Sequence, residues 1–392
     1  MKYVVLVGDG LGDYSYPELD HKSPLEYART PHLDWLAQQG ILGCVHTIPP
    51  GFPPGSDVGN LSLMGYEPEK YYTGRAPLEA ASMGIVLGPR DLAIRCNLVT
   101  LSPDRKIMLD YSAGHIPTEQ ARTVISLLQR ELGAAQVEFY PGVSYRHILV
   151  WRNAPVEPTD LVLTPPHEIP DRPIKPHLPR GRGSALLTEL IFRSWEVLAP
   201  LQIPANSIWL WGAGRPPRLP TLKERFGLSG SVISAVDLIK GLGVYAGLNV
   251  LDVPGATGYL DTNYSGKVQA ALKALQSEQF VYLHVEAPDE CGHQGRLDLK
   301  IRAIEDFDAK IVGPILEGLR RSHAEWALLV TTDHYTPVRE RVHVAAPVPF
   351  VIYNPQKAQH HPQRTFCERL ACGSGLSVAP GYKLFEFFLQ NS

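Results

Sequence analysis

No uninterrupted apolar run in the 392 residues reaches the roughly 20 that a membrane-spanning helix needs. The run at Tyr3–Val7 is too short for the hydrophobic segment of a signal peptide, and it ends in Gly8-Asp9-Gly10. Cysteine is sparse. Cys44, Cys96, Cys291, Cys367 and Cys372 are odd in number and scattered, with no Cys-x-x-Cys pair. That argues against a disulfide frame or a zinc knuckle and for reduced thiols in a cytoplasmic protein. Charge of one sign is also missing: the net charge is −3 and the charged residues are interspersed. Neither nucleic acid nor a membrane surface is therefore expected as partner. There are no internal repeats and no low-complexity tract.

What is present is a large store of core-forming residues. Hydrophobic residues make up 44% and charged residues 20%, in a length comfortable for two domains. The continuous apolar stretch Tyr3–Val7 suits a parallel strand covered on both faces. Asp9 then lies at the strand's carboxyl end, where α/β sheets place their ligands. Thr30-Pro31 opens a helix that Gly40 ends. In the C-terminal half, strands are predicted at 207–212, 232–234, 249–253, 280–286 and 326–331. Helices are predicted between them at 222–226, 237–247, 266–276 and 299–320. This alternation predicts a mainly parallel sheet with helices on both faces. The middle differs. Eight prolines fall between Pro155 and Pro179, a composition that interrupts regular structure. The expected organisation is an α/β core from 1–72 and 206–392 and a smaller inserted α+β domain over 73–205.

Five segments carry candidate chemistry. In Glu286-Ala-Pro-Asp289-Glu-Cys-Gly-His293, the Asp and His are four apart, which on a helix puts them on one side and within reach of one metal. An exposed polar loop is the plainer reading. Val330-Thr-Thr-Asp333-His334 ends a buried strand in two ligand types, although Asp333 could equally cap a helix beside a bystander histidine. His343 stands alone in a loop, and Asp9 follows the first strand. In Pro53-Pro54-Gly55-Ser56-Asp57-Val58-Gly59-Asn60 the serine opens a helix running to about Met64. A serine there is usually an N-cap, but the same position also suits meeting a phosphate. Together these residues are the inventory of two mixed oxygen and nitrogen sites with a serine between them.

Over nearly its whole length the chain resembles the cofactor-independent (2,3-bisphosphoglycerate-independent) phosphoglycerate mutases, particularly their archaeal-type branch, within the alkaline-phosphatase superfamily. The marks are Gly8-Asp9-Gly10, the Pro-Gly-Ser-Asp block at Ser56, Tyr72-Thr-Gly-Arg75-Ala-Pro-Leu-Glu79-Ala, and Ile94-Arg95-Cys-Asn97. Further marks are Pro254-Gly-Ala-Thr-Gly-Tyr-Leu-Asp-Thr-Asn-Tyr264, His284-Val-Glu-Ala-Pro-Asp-Glu290 and Asp333-His334. The resemblance implies two divalent cations, manganese first, with zinc or magnesium as alternatives. Asp289, His293 and His343 would hold one. Asp9, Ser56, Asp333 and His334 would hold the other. Ser56 would be the nucleophile and Lys240 the family's active-site lysine. One departure stands out: where the family usually reads His-Ser-Gly-Asp-Pro-Val-Pro, this chain has His343-Val-Ala-Ala-Pro-Val-Pro, which thins the polar surroundings of His343.

The implied activity is interconversion of 3-phosphoglycerate and 2-phosphoglycerate through phosphoserine, in glycolysis and gluconeogenesis. The partner is then a small phosphorylated metabolite; oligomeric state is not legible. Arginine forks suit phosphate and carboxylate, so Arg75, Arg95 and Arg146 of the insert, with His147 beside the last, are candidate substrate contacts. Asp110 and His115 are candidates for moving the hydroxyl proton. Other phosphoryl transfers on the same core are a homoserine-kinase-like reaction and a metal-dependent phosphatase. No Gly-x-x-x-x-Gly-Lys-Ser/Thr loop is present for a nucleotide. No Cys/Ser-x-Pro-x-Arg segment surrounds Ser56, which sets a sulfatase aside.

Overall fold

The apolar run Lys2–Gly8 becomes an interior strand of an eight-stranded sheet, buried on both faces from Val4 onward. The computed structural model describes residues 1–322 and 324–392. Across the sheet the strands are Asn249–Val250, Gly230–Ile233, Phe280–Val285, Lys2–Gly8, Trp326–Thr331, Val348–Tyr353, Ile41–Val45 and Ser377–Val378. All neighbours run parallel except that Val348–Tyr353 is antiparallel to both of its own. That strand and the two beyond it were not foreseen. The antiparallel strand follows a loop with no helix, so the strand-helix rhythm gives no sign of it.

The helices that cover this sheet sit where the pattern predicts: Pro31–Gln39, Ser56–Leu63, Asp237–Tyr245 and Tyr264–Ser277. The long helix expected at 299–320 is divided. Leu297–Phe307 passes through a wider π turn, Asp308–Val312, into Gly313–Arg321. Pro314 has no N–H to bond the carbonyl four residues back, which accounts for the altered ladder. The turn has a use. The buried Asp308 accepts N–H groups from Leu33 (2.7 Å) and His32 (3.3 Å), satisfying the start of helix Pro31–Gln39.

The chain forms two compact units, Met1–Tyr72 with Arg218–Ser392, and Thr73–Pro217. The second unit holds an antiparallel sheet, Met108–Asp110, Leu92–Leu101, Arg146–Trp151 and Val137–Val143, with helices Thr118–Leu132 and Ser184–Leu198 packed in its apolar core. Strand Ser207–Gly214 pairs with Leu92–Leu101 there, not with the core sheet. The return to the core therefore falls at Arg218 rather than near 206. Sequence periodicity identifies the strand but not which sheet its edge will join.

One buried ionic cluster in the first unit fixes the loops that follow two adjacent strands. Lys300, fully buried, donates to Asp13 Oδ2 (2.9 Å), the Gly12 carbonyl (3.1 Å) and the Thr336 carbonyl (2.7 Å). Breaking such a pair leaves a buried charge uncompensated, at a cost of about 3–5 kcal/mol. Lys300→Met is expected to lower unfolding free energy by that amount in urea titrations, and a loss under about 1 kcal/mol would contradict the assignment.

Glu368 lies against the same cluster, accepting from Asp13 N–H (3.0 Å) and the Ser23 hydroxyl (2.6 Å). Burial pushes its carboxyl up to about 7. Between the ordinary carboxyl range and about 7, the folded chain keeps a proton that the unfolded chain has released. Stability from this group therefore falls as pH rises through that window, by up to about 3 kcal/mol. The Glu368→Gln variant is expected to lack that slope, so that the wild-type-minus-variant stability difference falls as pH rises through the window in metal-free buffer; parallel curves would contradict it.

Candidate active site

Three strands of the first unit end side by side, and their carboxyl ends deliver the polar residues. Asp9 follows Lys2–Gly8, Asp289 lies on the short helix Ala287–His293 after Phe280–Val285, and Asp333-His334 follows Trp326–Thr331. Gly10, at φ 60°, makes the close approach feasible: a Cβ there would lie 2.6 Å from Thr336 Oγ1 and 2.7 Å from Asp289 Oδ1. Helix Ser56–Leu63 comes in against the same edge. A Cβ at Gly59 would lie 2.8 Å from the Asp333 carbonyl, so a side chain there would push the helix away.

The plainer readings of the candidate residues fail on geometry. Ser56 is the first residue of its helix and makes no capping bond; its Oγ lies 3.1 Å from His334 Nε2. Asp333 caps no helix. Its Oδ1 accepts from Gly10 N–H (3.1 Å) and His334 N–H (3.0 Å), and its Oδ2 from Asn60 Nδ2 (2.8 Å). Asp289 and His293 are on one helix, 3.2 Å apart at Oδ2 and Nε2. His343 is drawn in from its loop, with Nε2 3.4 Å from Asp289 Oδ1 and 2.8 Å from His293 Nε2. His334 Nε2 in turn lies 3.4 Å from Asp9 Oδ1. Seven side chains far apart in sequence therefore converge.

Their electrostatics call for cations. Asp9, Asp289 and Asp333 are all buried. Burial raises the Asp9 carboxyl well above its usual range, and the Asp333, Asp289 and Glu286 charges raise it further. Among the described residues Asp9 Oδ1 has no hydrogen-bond partner, a rare condition for a buried carboxylate oxygen. His293 and His343 point Nε2 at each other while their Nδ1 atoms face the carbonyls of Arg341 (2.9 Å) and Pro54 (3.4 Å). An imidazole whose Nδ1–H is tied to a carbonyl presents a lone pair at Nε2, the arrangement of a metal ligand. Ligand atoms of Asp289, His293 and His343 lie within 4.8 Å of one another, as do those of Asp9, Asp289 and His334. The donor set thus fits two divalent cations.

Some neighbours were not foreseen. His284, on strand Phe280–Val285, lies 3.0 Å from Asp9 Oδ2, and ligand atoms of Asp9, His284 and Asp333 form a third close group. Burial pushes this imidazole down to about 4. Asn60, buried, bonds Asp333 and the Ser56 carbonyl, and Tyr282 OH donates to Asn60 Oδ1 at 2.6 Å. Inward strand positions with polar residues, His284 and Tyr282 among apolar neighbours, are the signal that could have found them. Lys240, on helix Asp237–Tyr245, pairs with Asp252 at 2.8 Å.

In the second unit, Arg95 pairs with Glu79 (3.0 Å) and lies 4.0 Å from the Trp211 ring centre. Burial raises the Glu79 carboxyl, and the charges of Arg95, Arg75 and Arg146 oppose the rise, so the three arginines share one field. Asp110 accepts from Ser112 N–H (2.7 Å), and its bonds to Ser112 and Gly114 outweigh burial and keep it ionised. His147 is not placed to grip an anion by charge. It is buried, takes Gly142 N–H at 3.0 Å on Nδ1, and is pushed down to about 3 by burial. Strand alternation turns it inward and Arg146 outward.

Comparisons with known proteins agree with this chemistry. The family model described as 2,3-bisphosphoglycerate-independent phosphoglycerate mutase matches residues 37–203. A protein of that name from Methanosarcina barkeri is 47% identical over 400 residues, covering 100% of both chains. Another, from Methanothrix thermoacetophila, is 50% identical over 362 residues, covering 90% of each. The solved cofactor-independent phosphoglycerate mutase of Thermoplasma acidophilum superposes with a TM-score of 0.68 at 26% identity, covering 100% of this chain and 99% of that one. The chain belongs to the 2,3-bisphosphoglycerate-independent phosphoglycerate mutases.

Proposed function

We propose that this chain interconverts 3-phosphoglycerate and 2-phosphoglycerate with no diffusible 2,3-bisphosphoglycerate, passing the phosphoryl group through Ser56. The observation that carries the reading is the Ser56 hydroxyl, uncommitted as a helix cap and set 3.1 Å from His334 in a cluster of buried carboxylates and imidazoles. Asp289, His293 and His343 would hold one divalent cation, and Asp9, Ser56, Asp333 and His334 the second. A donor set of carboxylate, imidazole and hydroxyl without thiolate suits manganese, our assignment, as well as zinc or magnesium. Such cations supply Lewis acidity, which favours the serine alkoxide and offsets charge on the phosphoryl oxygens.

The residues of the chain divide the remaining work. Ser56 displaces glycerate from phosphorus and becomes phosphoserine; the other glycerate hydroxyl then takes the phosphoryl group back and Ser56 is regenerated. Asn60 holds the Ser56 backbone and Asp333 in one arrangement. Arg75, Arg95 and Arg146 are assigned to the anionic groups of the substrate, Asp110 to contact with the substrate beside the hydroxyl proton that moves, and Lys240 to the catalytic set. Among the described residues no helix is long and apolar enough to cross a membrane, and the five cysteines of the chain are all free; we place the enzyme in the cytoplasm. The test is an enolase-coupled assay of the manganese-loaded protein with 3-phosphoglycerate and no bisphosphoglycerate. Formation of 2-phosphoglycerate is expected. None from a folded, loaded sample would overturn the assignment of substrate.

A further inference from the structure

Thr336 stands between the two groups of ligands. It is fully buried, and its backbone is pinned on both sides: its N–H donates to the Gly12 carbonyl (3.1 Å) and its carbonyl accepts from Lys300 Nζ (2.7 Å). Its hydroxyl has two partners, Asp289 Oδ1 and His334 Nδ1, the latter at 3.2 Å. An ionised carboxylate only accepts, so the single hydroxyl proton goes to Asp289. The hydroxyl oxygen is then left to accept from His334 Nδ1–H. This fixes the ring as the tautomer whose Nε2 lone pair faces Ser56 (3.1 Å) and Asp9 (3.4 Å). On the other side, with Oδ1 held by Thr336, Asp289 turns Oδ2 toward His293, 3.2 Å away. One hydroxyl therefore orients a ligand of each proposed cation.

We propose that Thr336 is a positioning residue that couples the two cation sites, fixing His334 for one and Asp289 for the other through a single hydroxyl. The inference rests on the two-cation reading above. A group of this kind is normally worth about 10–100-fold in metal affinity. Because it serves both sites, its loss weakens both, where an ordinary outer partner would affect only the ligand it touches.

Manganese titration of the EDTA-stripped full chain, by calorimetry with free ion followed by paramagnetic resonance, separates the outcomes. Wild type is expected to take up two equivalents. Thr336→Val, which keeps the shape and loses the hydroxyl, is expected to bind at least about 10-fold more weakly at both sites. Thr336→Ser, which keeps the hydroxyl and loses the methyl, is expected to recover most of that loss. Thr336→Ala replaces the valine variant, with the same expectation, if valine does not fold. Wild-type affinity in the valine variant, a loss confined to one site, or a serine variant as weak as valine would each overturn the proposal. Failure of the wild-type protein itself to bind manganese would overturn the cation reading on which it rests.

Discussion

Ser56→Ala is expected to lower mutase turnover by about 10⁴-fold or more while the protein still folds. The size follows from the absence of a substitute. The nearby hydroxyls are engaged elsewhere: Thr47 donates to the Asp333 carbonyl at 2.6 Å, and Thr336 bridges Asp289 and His334. Water could reach phosphorus in place of the serine, but that releases phosphate and does not return it to glycerate. The variant would therefore show at most slow phosphatase activity, with no 2-phosphoglycerate above background. Helix Ser56–Leu63 does not depend on the hydroxyl, because Ser56 makes no cap and Asn60 bonds its carbonyl instead. Enolase-coupled kinetics and a melting curve on one preparation check both halves. Residual mutase turnover above about 1% would remove Ser56 from the pathway.

Chelation is expected to have an effect of similar size. Three buried carboxylates share the site, one of their oxygens has no hydrogen-bond partner among the described residues, and Asp9 is strained toward its protonated form by burial and by its neighbours. Cations would relieve this, and a folded chain that gathers these ligands would bind them where the unfolded chain, with its ligands scattered, would not. Ligand at about 100 times its dissociation constant then adds about 2.7 kcal/mol of stability. Dialysis against EDTA should bring turnover below about 1% of the loaded value and lower the melting temperature, and manganese should restore both. The linkage sign is fixed: adding cation raises the melting temperature. Full activity after exhaustive chelation, or a melting temperature indifferent to manganese, would contradict the assignment of these residues.

Much of this arrangement was legible in the sequence because parallel α/β sheets write themselves locally. Buried strands are continuous apolar runs, and the residue just past each run lies at the ligand-binding edge; that ground marked Asp9, Asp333 and His334 as candidates, and only the resemblance assembled them into a site. Asp289 and His293 were legible through helical spacing. What was hidden depends on long-range contact. Asn60 sits inside a helix whose pattern accounts for it without function, and His284, although polar among apolar strand neighbours, gives no sign of its partner; only strand and helix placement puts them beside Asp333 and Asp9. Thr336 gives no local signal, since its partners are 47 and 2 residues away along the chain and its role needs both. His147 reads as a cation from its neighbour Arg146, but strand alternation turns it into the interior, where burial keeps it neutral. The edge partner of strand Ser207–Gly214 was equally out of reach, because a strand's own residues do not say which sheet it completes.

The central claim is that the phosphoryl group rests on Ser56 between its two positions on glycerate. The most direct measurement is to mix the manganese-loaded protein with 3-phosphoglycerate, quench in acid within a turnover, and map phosphorylation by peptide mass spectrometry. The account predicts one phosphoryl group on Ser56 and none on the neighbouring Ser62, with the modification absent when substrate is omitted. A fully active enzyme that carries no phosphate on Ser56 under these conditions, or carries it on another residue, would contradict it.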